Sequence, residues 1–404
     1  MKKKEVRSPC LSKIDQRLKA AMAPTIPQEL YLGILENLPP CPETLARAHV
    51  VCRAWRRIVS DPGFLHRCHA RHGHGAPLTV GFFHNSDALP RPFVHVGDTT
   101  CFSFKWPKDT KWTFMDCRHG RVLLRDRRWF LVWHPISGHN HLIDLESSRW
   151  GEYSERNSNA ALLCVAGDDD DGHHACCQQA TSPFRVALVH SDSHGRVYAG
   201  VYSSLTAQWS PEPTSVDLPP VCEIRAEPSV VIFNTMYQPL YDYRVLAYDM
   251  DKSTLSVFSR PRGGNVRLMK ADGGARLGMA AVQGLTLRLW ARGAYSGWVL
   301  RTTVDLGEVV AGVSRAPLPK TDPRFSVMPT VKIIGVAEEG DALFLWTMVG
   351  IFMLCPKTME VNKVRDTAEG MEIVYPYTAF PLSPFGNNVH FNAPINITDI
   401  PYLA

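Results

Sequence analysis

The sequence lacks long apolar runs and an ordered cysteine pattern. No uninterrupted apolar stretch approaches the roughly 20 residues that a membrane helix needs, and no apolar segment follows the basic start at residues 2–4, as a secretory signal would require. The 11 cysteines are odd in number and scattered, without a Cys-x-x-Cys pair. We therefore expect a soluble chain of the cytoplasm or nucleus, without membrane contact and with mostly reduced cysteines, among which Cys52, Cys164 and Cys355 lie in apolar runs.

Motifs for nucleotide binding and covalent catalysis are also absent from the sequence. No P-loop and no Gly-x-Gly-x-x-Gly precedes a helical pattern. Residues 293–297 read Gly-Ala-Tyr-Ser-Gly, which places the serine one position away from that of the nucleophile elbow Gly-x-Ser-x-Gly. We therefore predict a protein that is not an enzyme and that has no catalytic residues and no cofactor.

The segment from Gly167 to Gln179 is the strongest candidate for a metal site, but its spacing is unfavourable. Read as a calcium-binding loop, it places Gly167 and Gln178 where the ligands Asp and Glu are required. Read as a zinc site, its two histidines and two cysteines stand at adjacent positions, whereas zinc ligands are normally spaced so that four can converge. We interpret the segment as a polar insertion between strands and predict no bound metal.

Length and charge favour more than one domain and argue against a nucleic-acid partner. The 404 residues exceed the usual size of a single core, and the net charge of +5 is modest. Residues 1–23 carry several lysines and arginines, so we expect a disordered basic leader there. The rest of the chain changes from a helical to a strand-like pattern near Leu78.

Residues 24–74 contain the signals of three short helices. The first begins near Pro27, whose missing N–H suits a first helical position, and ends before Pro39. The third begins at the capping pair Asp61-Pro62, ahead of Phe64. Between them, apolar residues recur at helical spacing at Leu45, Ala48, Cys52, Trp55 and Val59. Domains of about 40 residues usually need a partner, a disulfide or a metal ion to be stable. The apolar residues exceed what three short helices can bury, so we predict a partner-binding face.

The motifs of this region are Ile-Pro-x-Glu-Leu, Ile-Leu-x-x-Leu-Pro and Val-Cys-Arg-x-Trp-Arg, followed by Pro-x-Phe. In this order they closely resemble the F-box, from Ile26 to Phe64. The resemblance implies docking on a Skp-family adaptor, and through it on a cullin, by way of the apolar helical surface. The contact residues that it implies are Ile26, Pro27, Leu30, Ile34, Leu35, Leu38, Pro39, Val51, Cys52 and Trp55.

Downstream of Leu78 the sequence has the pattern of an all-β domain, with short strand-like runs separated by Gly, Pro, Asp and Ser. A strand, a polar turn and a second strand recur at 131–145, 197–210, 246–258, 287–300 and 352–361. Repeats of roughly 40–50 residues built from strands predict a β-propeller, in which blades supply one another's core. An open pair of β-sandwiches is the alternative. Tryptophans near the strand ends fit blade packing, with a sugar-binding platform as the alternative.

Two stretches, from Cys117 to Leu124 and from Val245 to Asp249, resemble the degenerate propeller-like domain of plant F-box proteins, especially those of grasses. The resemblance implies a multidomain chain of α plus all-β class, with a three-helix F-box at 24–74 and a degenerate β-propeller-like target-recognition domain at 75–404. It further implies the substrate-recognition subunit of an SCF-type (Skp–cullin–F-box) E3 ubiquitin ligase, whose propeller-like domain holds an unknown target protein. A glycan- or small-ligand-binding propeller that carries an F-box is the alternative.

Overall fold

The structure is a computed structural model that divides the chain into two compact units, Met1–His74 and Gly75–Ala404. It describes residues 28–37, 48, 51–59, 64, 78–87, 92–96, 112–135, 138–145, 157–165, 182–218, 223–293, 297–307, 331–367 and 370–379. Among these residues, no helix is long and apolar enough to cross a membrane. The two units, called here the helical unit and the propeller unit, are described separately.

The helical unit contains two described helices, α1 (Gln28–Glu36) and α2 (Arg53–Val59). The isolated positions Ala48, Val51 and Phe64 also have helical conformation. The buried side chains of this unit are those of Leu35, Ala48, Ile58, Val59 and Phe64. The prediction of three helices is therefore confirmed only for its first two segments, because the predicted third helix lies outside the described residues except at Phe64.

The propeller unit is built from short antiparallel strands. The chain enters it with β1 (Leu78–His84), β2 (Phe93–His95), β3 (Thr113–Arg118), β4 (Arg121–Arg125), β5 (Trp129–Trp133) and β6 (Asn140–Asp144). It continues with β7 (Ser158–Cys164), β8 (Phe184–Ser191), β9 (Arg196–Ser203), β10 (Gln208–Trp209), β11 (Thr214–Asp217), β12 (Val230–Ile232), β13 (Thr235–Pro239), β14 (Arg244–Asp249) and β15 (Thr254–Ser259). After these come β16 (Asn265–Ala271), a short 3₁₀ turn (Asp272–Gly274), β17 (Arg276–Gln283), β18 (Thr286–Arg292) and β19 (Trp298–Asp305). The last strands are β20 (Val331–Val336), β21 (Leu343–Thr347), β22 (Gly350–Leu354), β23 (Val361–Arg365) and β24 (Val374–Ala379).

The described strands form six sheets, which are the blades of a β-propeller. Blade 1 is β3-β4-β5-β6, blade 2 is β7-β8-β9-β10 with β11 paired to β9, and blade 3 is β12-β13-β14-β15. Blade 4 is β16-β17-β18-β19, blade 5 is β20-β21-β22-β23, and blade 6 is β24-β1-β2. The first strands of neighbouring blades contact one another all the way round, from β3 through β7, β12, β16, β20 and β24 back to β3. This closed ring confirms the predicted propeller over the described residues and excludes the open sandwich pair.

Blade 6 closes the ring by pairing strands from the two ends of the propeller unit. Strand β24 pairs antiparallel with β1, so that Val374 lies opposite His84. The fully buried ring of Phe82 in β1 packs edge-on against Phe344 of blade 5, with 5.2 Å between ring centroids. Gly81 lets β1 and β2 lie close together, because a Cβ atom there would lie 2.2 Å from the carbonyl oxygen of Val94 in β2. The closing sheet therefore depends on a glycine and a large apolar side chain at neighbouring positions.

The five predicted repeats are the outer hairpins of blades 1 to 5, formed in each case by the third and fourth strands. All five turns hold a residue of positive φ just before the fourth strand, at Gly138, Ala207, Ser253, Gly297 and Met359. A type I turn followed by one left-handed residue is a common hairpin connection. The repeats therefore share a turn geometry without sharing a turn residue.

Two tryptophans on the outer strands join neighbouring blades. The indole N–H of Trp209 in blade 2 donates to the carbonyl of Asp144 in blade 1, at 3.1 Å. The indole N–H of Trp298 in blade 4 donates to the carbonyl of Ser259 in blade 3, at 3.0 Å. Because a buried indole N–H needs an acceptor, these bonds support the interpretation of both tryptophans as packing residues.

The cysteines differ from the expectation at one position. Cys52, Cys117 and Cys355 have free thiols. Cys164, which the sequence predicted to be a reduced apolar residue at the end of β7, is buried as expected but forms a disulfide. The sequence could not show this bond, because it depends on which sulfur atoms the fold brings together.

Candidate partner-binding surfaces

Three predicted adaptor contacts present large apolar side chains on the helical unit. Leu30 and Ile34 lie one turn apart on α1, with 57% and 45% of their surface exposed. Val51 is 59% exposed, and its neighbour Cys52 is exposed as well. These residues therefore leave apolar surface exposed on the helical unit. We call Leu30, Ile34, Val51 and Cys52 the exposed helical face.

Two other predicted contacts have a different environment. Leu35 is 1% exposed and belongs to the core of the helical unit, so it does not contribute to the exposed helical face. Trp55 is half-buried, and its ring packs edge-on against Tyr31 with 6.3 Å between centroids. Its backbone N–H lies 3.5 Å from the sulfur of Cys52. Truncating Trp55 would therefore change the interior of the unit as well as its surface.

The remaining predicted contacts cannot be placed. Ile26, Pro27, Leu38 and Pro39 lie outside the described residues. The same holds for the polar segment from Asp168 to Cys177, on which the absence of a metal was predicted. Within the described ranges, no group of three or more His, Cys, Asp or Glu residues has an arrangement that could hold a metal ion.

The propeller unit contains a recess along its central channel, with about 530 Å³ of space between atoms, part of it continuous with solvent. The inner strands β3, β16, β20 and β24 and the entry to β12 line it. Its polar wall includes Asp116, Arg118, Ser229, Arg267, Glu338 and Tyr375. Val230, Leu268, Met269 and Val336 also line the recess, which thus combines a few polar groups with an apolar wall, as small-molecule pockets usually do.

An ion pair within β3 makes hydrogen bonds to two other blades. The Nε atom of Arg118 donates to Asp116 at 2.7 Å, and its terminal nitrogen donates to the carbonyl of Ser229 in the segment that enters blade 3. Asp116 also accepts from the backbone N–H of Leu162, at 2.8 Å. Burial raises the pKa of Asp116, while the positive charge of Arg118 and these hydrogen bonds oppose the rise. The ion pair thus connects the inner ends of three blades.

The channel contains a buried thiol and two unpartnered polar atoms. Burial and the charge of Asp116 raise the pKa of the Cys117 thiol well above its usual range. A protonated, buried thiol is a poor nucleophile. The Oγ atom of Ser229 and the Nε atom of Arg267 have no hydrogen-bond partner among the described residues. The recess can therefore hold water or a small polar group, but its thiol is not activated for catalysis.

A second surface of the propeller unit was not predicted from the sequence. Tyr241 and Tyr243 are 57% and 44% exposed, and the guanidinium groups of Arg225, Arg260 and Arg262 lie against their rings. The available signal was the pair of short patterns Tyr-x-Tyr at 241–243 and Arg-x-Arg at 260–262. Separately, neither pattern indicates a site. The fold brings them together from two different loops.

Comparisons of the sequence with family models give two matches. The model described as "F-box protein AT5G49610-like, beta-propeller" matches residues 113–381. The model described as "F-box-like" matches residues 23–72. No curated protein matches the chain.

Two solved structures illustrate the similarities of the chain to known folds, and both are distant. A protein described as the extracellular domain of a one-component system, BT4673 from B. thetaiotaomicron, has a TM-score of 0.32 at 12% identity. The match covers 66% of this chain and 29% of that chain, so this protein spans less than a third of its length. A chain of the mitotic checkpoint complex has a TM-score of 0.34 at 12% identity, with 68% and 73% of the two chains covered. At these scores neither similarity bears on function.

Proposed function

Because the chain belongs to the family of F-box proteins with an AT5G49610-like β-propeller, we propose that it is the substrate-recognition subunit of an SCF-type E3 ubiquitin ligase. In this proposal the F-box-like region docks on a Skp-family adaptor, and through it on a cullin. The propeller unit binds a target protein, in the cytoplasm or nucleus. The resemblance to grass F-box proteins in sequence further suggests a plant-type receptor.

The observation that carries the proposal is the exposed helical face. Leu30, Ile34 and Val51 each leave about half of a large apolar side chain in water, within the segment that matches the F-box-like model. Burying a leucine or isoleucine side chain completely is worth roughly 1.5–3 kcal/mol. A partner that covers the exposed half of each side chain would gain about half of that free energy per residue, so an adaptor surface of matching apolar character is favoured.

The chain performs no bond chemistry in this proposal. Other subunits would transfer ubiquitin, and this protein would hold the target near them. Positioning of reactants can by itself lower a barrier by several kcal/mol, because it removes translational and rotational freedom before the reaction. The described residues of the channel fit this role, since their charges are paired with one another and the Cys117 thiol is held protonated.

Co-purification with a Skp-family adaptor tests the proposal. We expect Leu30→Ala to weaken adaptor binding by about tenfold, because roughly 1.4 kcal/mol of apolar burial is lost. Trp55→Ala should weaken it by about 30-fold, the usual size for an interface tryptophan. Leu205→Ala is the matched control, since Leu205 is 68% exposed but lies in the propeller unit. Adaptor binding at wild-type affinity by both Leu30→Ala and Trp55→Ala would contradict the proposal.

The stability of the helical unit must be measured in parallel. Leu35→Ala should unfold or loosen this unit, because deletion of a buried leucine typically costs about 2–5 kcal/mol, and Leu35 is buried. Leu30→Ala should leave its stability within about 0.5 kcal/mol, as expected for an exposed substitution. The comparison separates lost contacts from lost folding, which Trp55→Ala alone cannot do.

The recess of the channel supports a second candidate function, the binding of a small ligand with polar groups by the propeller. Ser229 and Arg267 direct unpartnered buried polar atoms into the channel region. Capture from an extract distinguishes the two functions, since a target receptor retains protein whereas a ligand-binding propeller retains glycan or small molecules. The packing roles of Trp209 and Trp298 count against a sugar platform at those two positions.

A further inference from the structure

The surface formed by Arg225, Tyr241, Tyr243, Arg260 and Arg262, called here the arginine–tyrosine surface, lies at one end of the propeller unit. Turns in an antiparallel sheet alternate between its two ends. The β13–β14 turn and the connections into β12 and β16 therefore lie at the same end of blades 3 and 4. These three loops supply the five residues. The surface is thus assembled from segments that are distant in sequence.

Two exposed tyrosines hold the arginines in place. The Cζ atom of Arg225 is 5.3 Å from the ring centroid of Tyr241. The Cζ atoms of Arg260 and Arg262 are both 5.4 Å from the ring centroid of Tyr243. Contacts of this length are cation–π interactions, worth about 0.5–1 kcal/mol where they are exposed. Two guanidinium groups that share one ring are held close together despite their like charge.

The backbone under this surface is fixed by hydrogen bonds. The N–H of Arg225 donates to the carbonyl of Pro239 at 3.2 Å, and the N–H of Tyr241 donates to the carbonyl of Glu223 at 3.1 Å. The N–H of Arg260 donates to the carbonyl of Tyr243, at 2.9 Å. Below them the buried amide of Gln238 donates to the carbonyl of Arg225, at 2.8 Å. A preformed surface loses little conformational entropy when a partner binds.

The arginines of this region outnumber the carboxylates that neutralise them. One carboxylate, that of Glu227, accepts from both Arg225 and the buried Arg267. Asp242 pairs with Arg244, at 3.1 Å. No carboxylate among the described residues pairs with Arg262, whose contact is the Tyr243 ring.

Arg260 makes no close ion pair with a carboxylate of the described residues, although the charges of Glu227 and Asp242 act on it. It is 6% exposed, and its Nε atom has no hydrogen-bond partner among the described residues. Besides its contact with the Tyr243 ring, its guanidinium makes a long hydrogen bond of 3.4 Å to the carbonyl of Pro261. A buried donor without an acceptor costs free energy, about 1–3 kcal/mol. An anion placed on this surface would meet the charge of the exposed Arg262, which no described carboxylate pairs with, and would also be attracted by the charge of the buried Arg260.

We propose that the arginine–tyrosine surface binds a segment of the target protein rich in Asp and Glu, an inference that rests on the proposed function. The charge surplus calls for an anionic partner. Arginine and tyrosine are enriched among the residues that dominate protein–protein binding energies, which favours a protein. Nucleic acid is disfavoured, because its backbone is normally bound by an extended series of cations, whereas this surface presents three arginines around two rings.

Fluorescence anisotropy with the purified full chain tests the proposal. The probe is a labelled glutamate-rich peptide that contains one aromatic residue, and its counterpart has glutamine at every glutamate. We expect the glutamate peptide to bind, and the glutamine peptide to bind at least tenfold more weakly. Arg262→Gln should lower the affinity for the glutamate peptide by about tenfold, the usual loss for one charge-assisted hydrogen bond. Tyr241→Ala should lower this affinity by a similar factor.

Arg128→Gln is the matched control for these variants. Its guanidinium also lies over an aromatic ring, at 5.1 Å from that of Trp129, but it donates to the carboxylate of Asp144 at 3.1 Å. Removal of this compensated arginine should leave peptide affinity unchanged. Circular dichroism of each variant verifies that the β-structure is retained.

Three outcomes would overturn the proposal. They are equal affinity for the glutamate and glutamine peptides, an unchanged affinity in Arg262→Gln, and binding confined to a phosphoserine version of the peptide or to a single-stranded oligonucleotide. Adaptor co-purification, run on the same samples, separates this result from the proposed function. Wild-type protein that binds the peptide but not the adaptor would contradict the function and leave this surface assignment in place.

Discussion

The helical unit and the propeller unit bury their apolar side chains in different ways. In the helical unit, Leu30 and Ile34 lie in the middle of a regular helix and are about half exposed. In the propeller unit, large side chains in the middle of strands, such as Phe130, Phe344 and Phe352, are fully buried between blades. The blades bury one another's apolar side chains, whereas the described part of the helical unit leaves such side chains exposed.

This difference shows how one chain can carry two kinds of recognition. A small helical unit has too little interior for its apolar residues, so its exposed helical face suits an obligatory, apolar contact. The closed propeller satisfies its own core and can use loops for recognition, which is where the arginine–tyrosine surface lies. The two surfaces should therefore respond differently to salt, because charge-based contacts are screened and apolar ones are not.

Among these predictions, a substitution that weakens the closed ring of blades should have the largest effect on the stability of the propeller unit. We expect Phe82→Ala to lower the free energy of unfolding of the propeller unit by about 3–5 kcal/mol, since it removes a fully buried aromatic side chain at the joint between blade 6 and blade 5. Denaturant titration followed by β-sheet circular dichroism measures the loss.

Leu205→Ala serves as the control for Phe82→Ala, because Leu205 is exposed in a turn and its removal should change stability by less than about 0.5 kcal/mol. Adaptor binding should survive in both variants if the units fold independently. A Phe82→Ala protein as stable as the wild type would show that blade 6 does not hold the ring closed.

The sequence predicted the repeating part of the fold but not its closure. Local alternation of apolar and polar residues marks each outer hairpin, because strand and turn are adjacent in sequence. The pairing of β1 with β24 joins the two ends of the propeller unit, so no local sequence pattern predicts it. The same limit applies to the ion pair of Arg118 with Asp116 and its contact with Ser229, which depend on ring geometry.

Turn chemistry explains why the repeats look irregular. The left-handed position before the fourth strand holds glycine in blades 1 and 4, but Ala207, Ser253 and Met359 in the other three. A search for a recurring glycine therefore fails, although the backbone conformation recurs. At the helical unit, spacing alone placed Leu30, Ile34 and Leu35 on one apolar stripe. Which of them is buried depends on packing against residues that the spacing does not identify.

Acid should weaken the propeller unit through its buried histidines. Burial, followed by the neighbouring charge of Arg121, lowers the pKa of His134 to about 3. Burial also lowers the pKa of His141 and of His190. These histidines stay neutral in the fold but become protonated in the unfolded chain below its usual pKa of about 6.5. Their stabilising effect is thus complete above about pH 6.5 and is lost as pH falls toward about 3.

For His134 alone, the expected loss between about pH 7 and about pH 5 is roughly 2 kcal/mol, at 1.36 kcal/mol per pH unit for one proton. His134→Gln should flatten the pH dependence of unfolding by that amount, whatever its effect at neutral pH. The exposed His194 provides the control, because His194→Gln should leave the slope unchanged. Parallel slopes for wild type and His134→Gln would refute the assignment.

The smallest expected effect concerns the turns that the repeats share. Ala207 is exposed with φ of 53°, a conformation that costs a residue with a Cβ atom roughly 1–2 kcal/mol. Glycine avoids this strain but loses about 0.5–1 kcal/mol in backbone entropy on folding. We therefore expect Ala207→Gly to raise the free energy of unfolding by about 0.5–1 kcal/mol, measured by denaturant titration.

The reverse change in blade 4 tests whether the effect comes from backbone conformation. Gly297 has φ of 72°, and a Cβ atom placed on it would meet nothing within 4 Å, so Gly297→Ala adds strain without a clash. It should lower stability by an amount similar to the gain in Ala207→Gly. Changes of the same sign in the two variants would mean that the turns of blades 2 and 4 are not equivalent. Because the helical unit contains no such turn in its described residues, adaptor binding should stay constant in both.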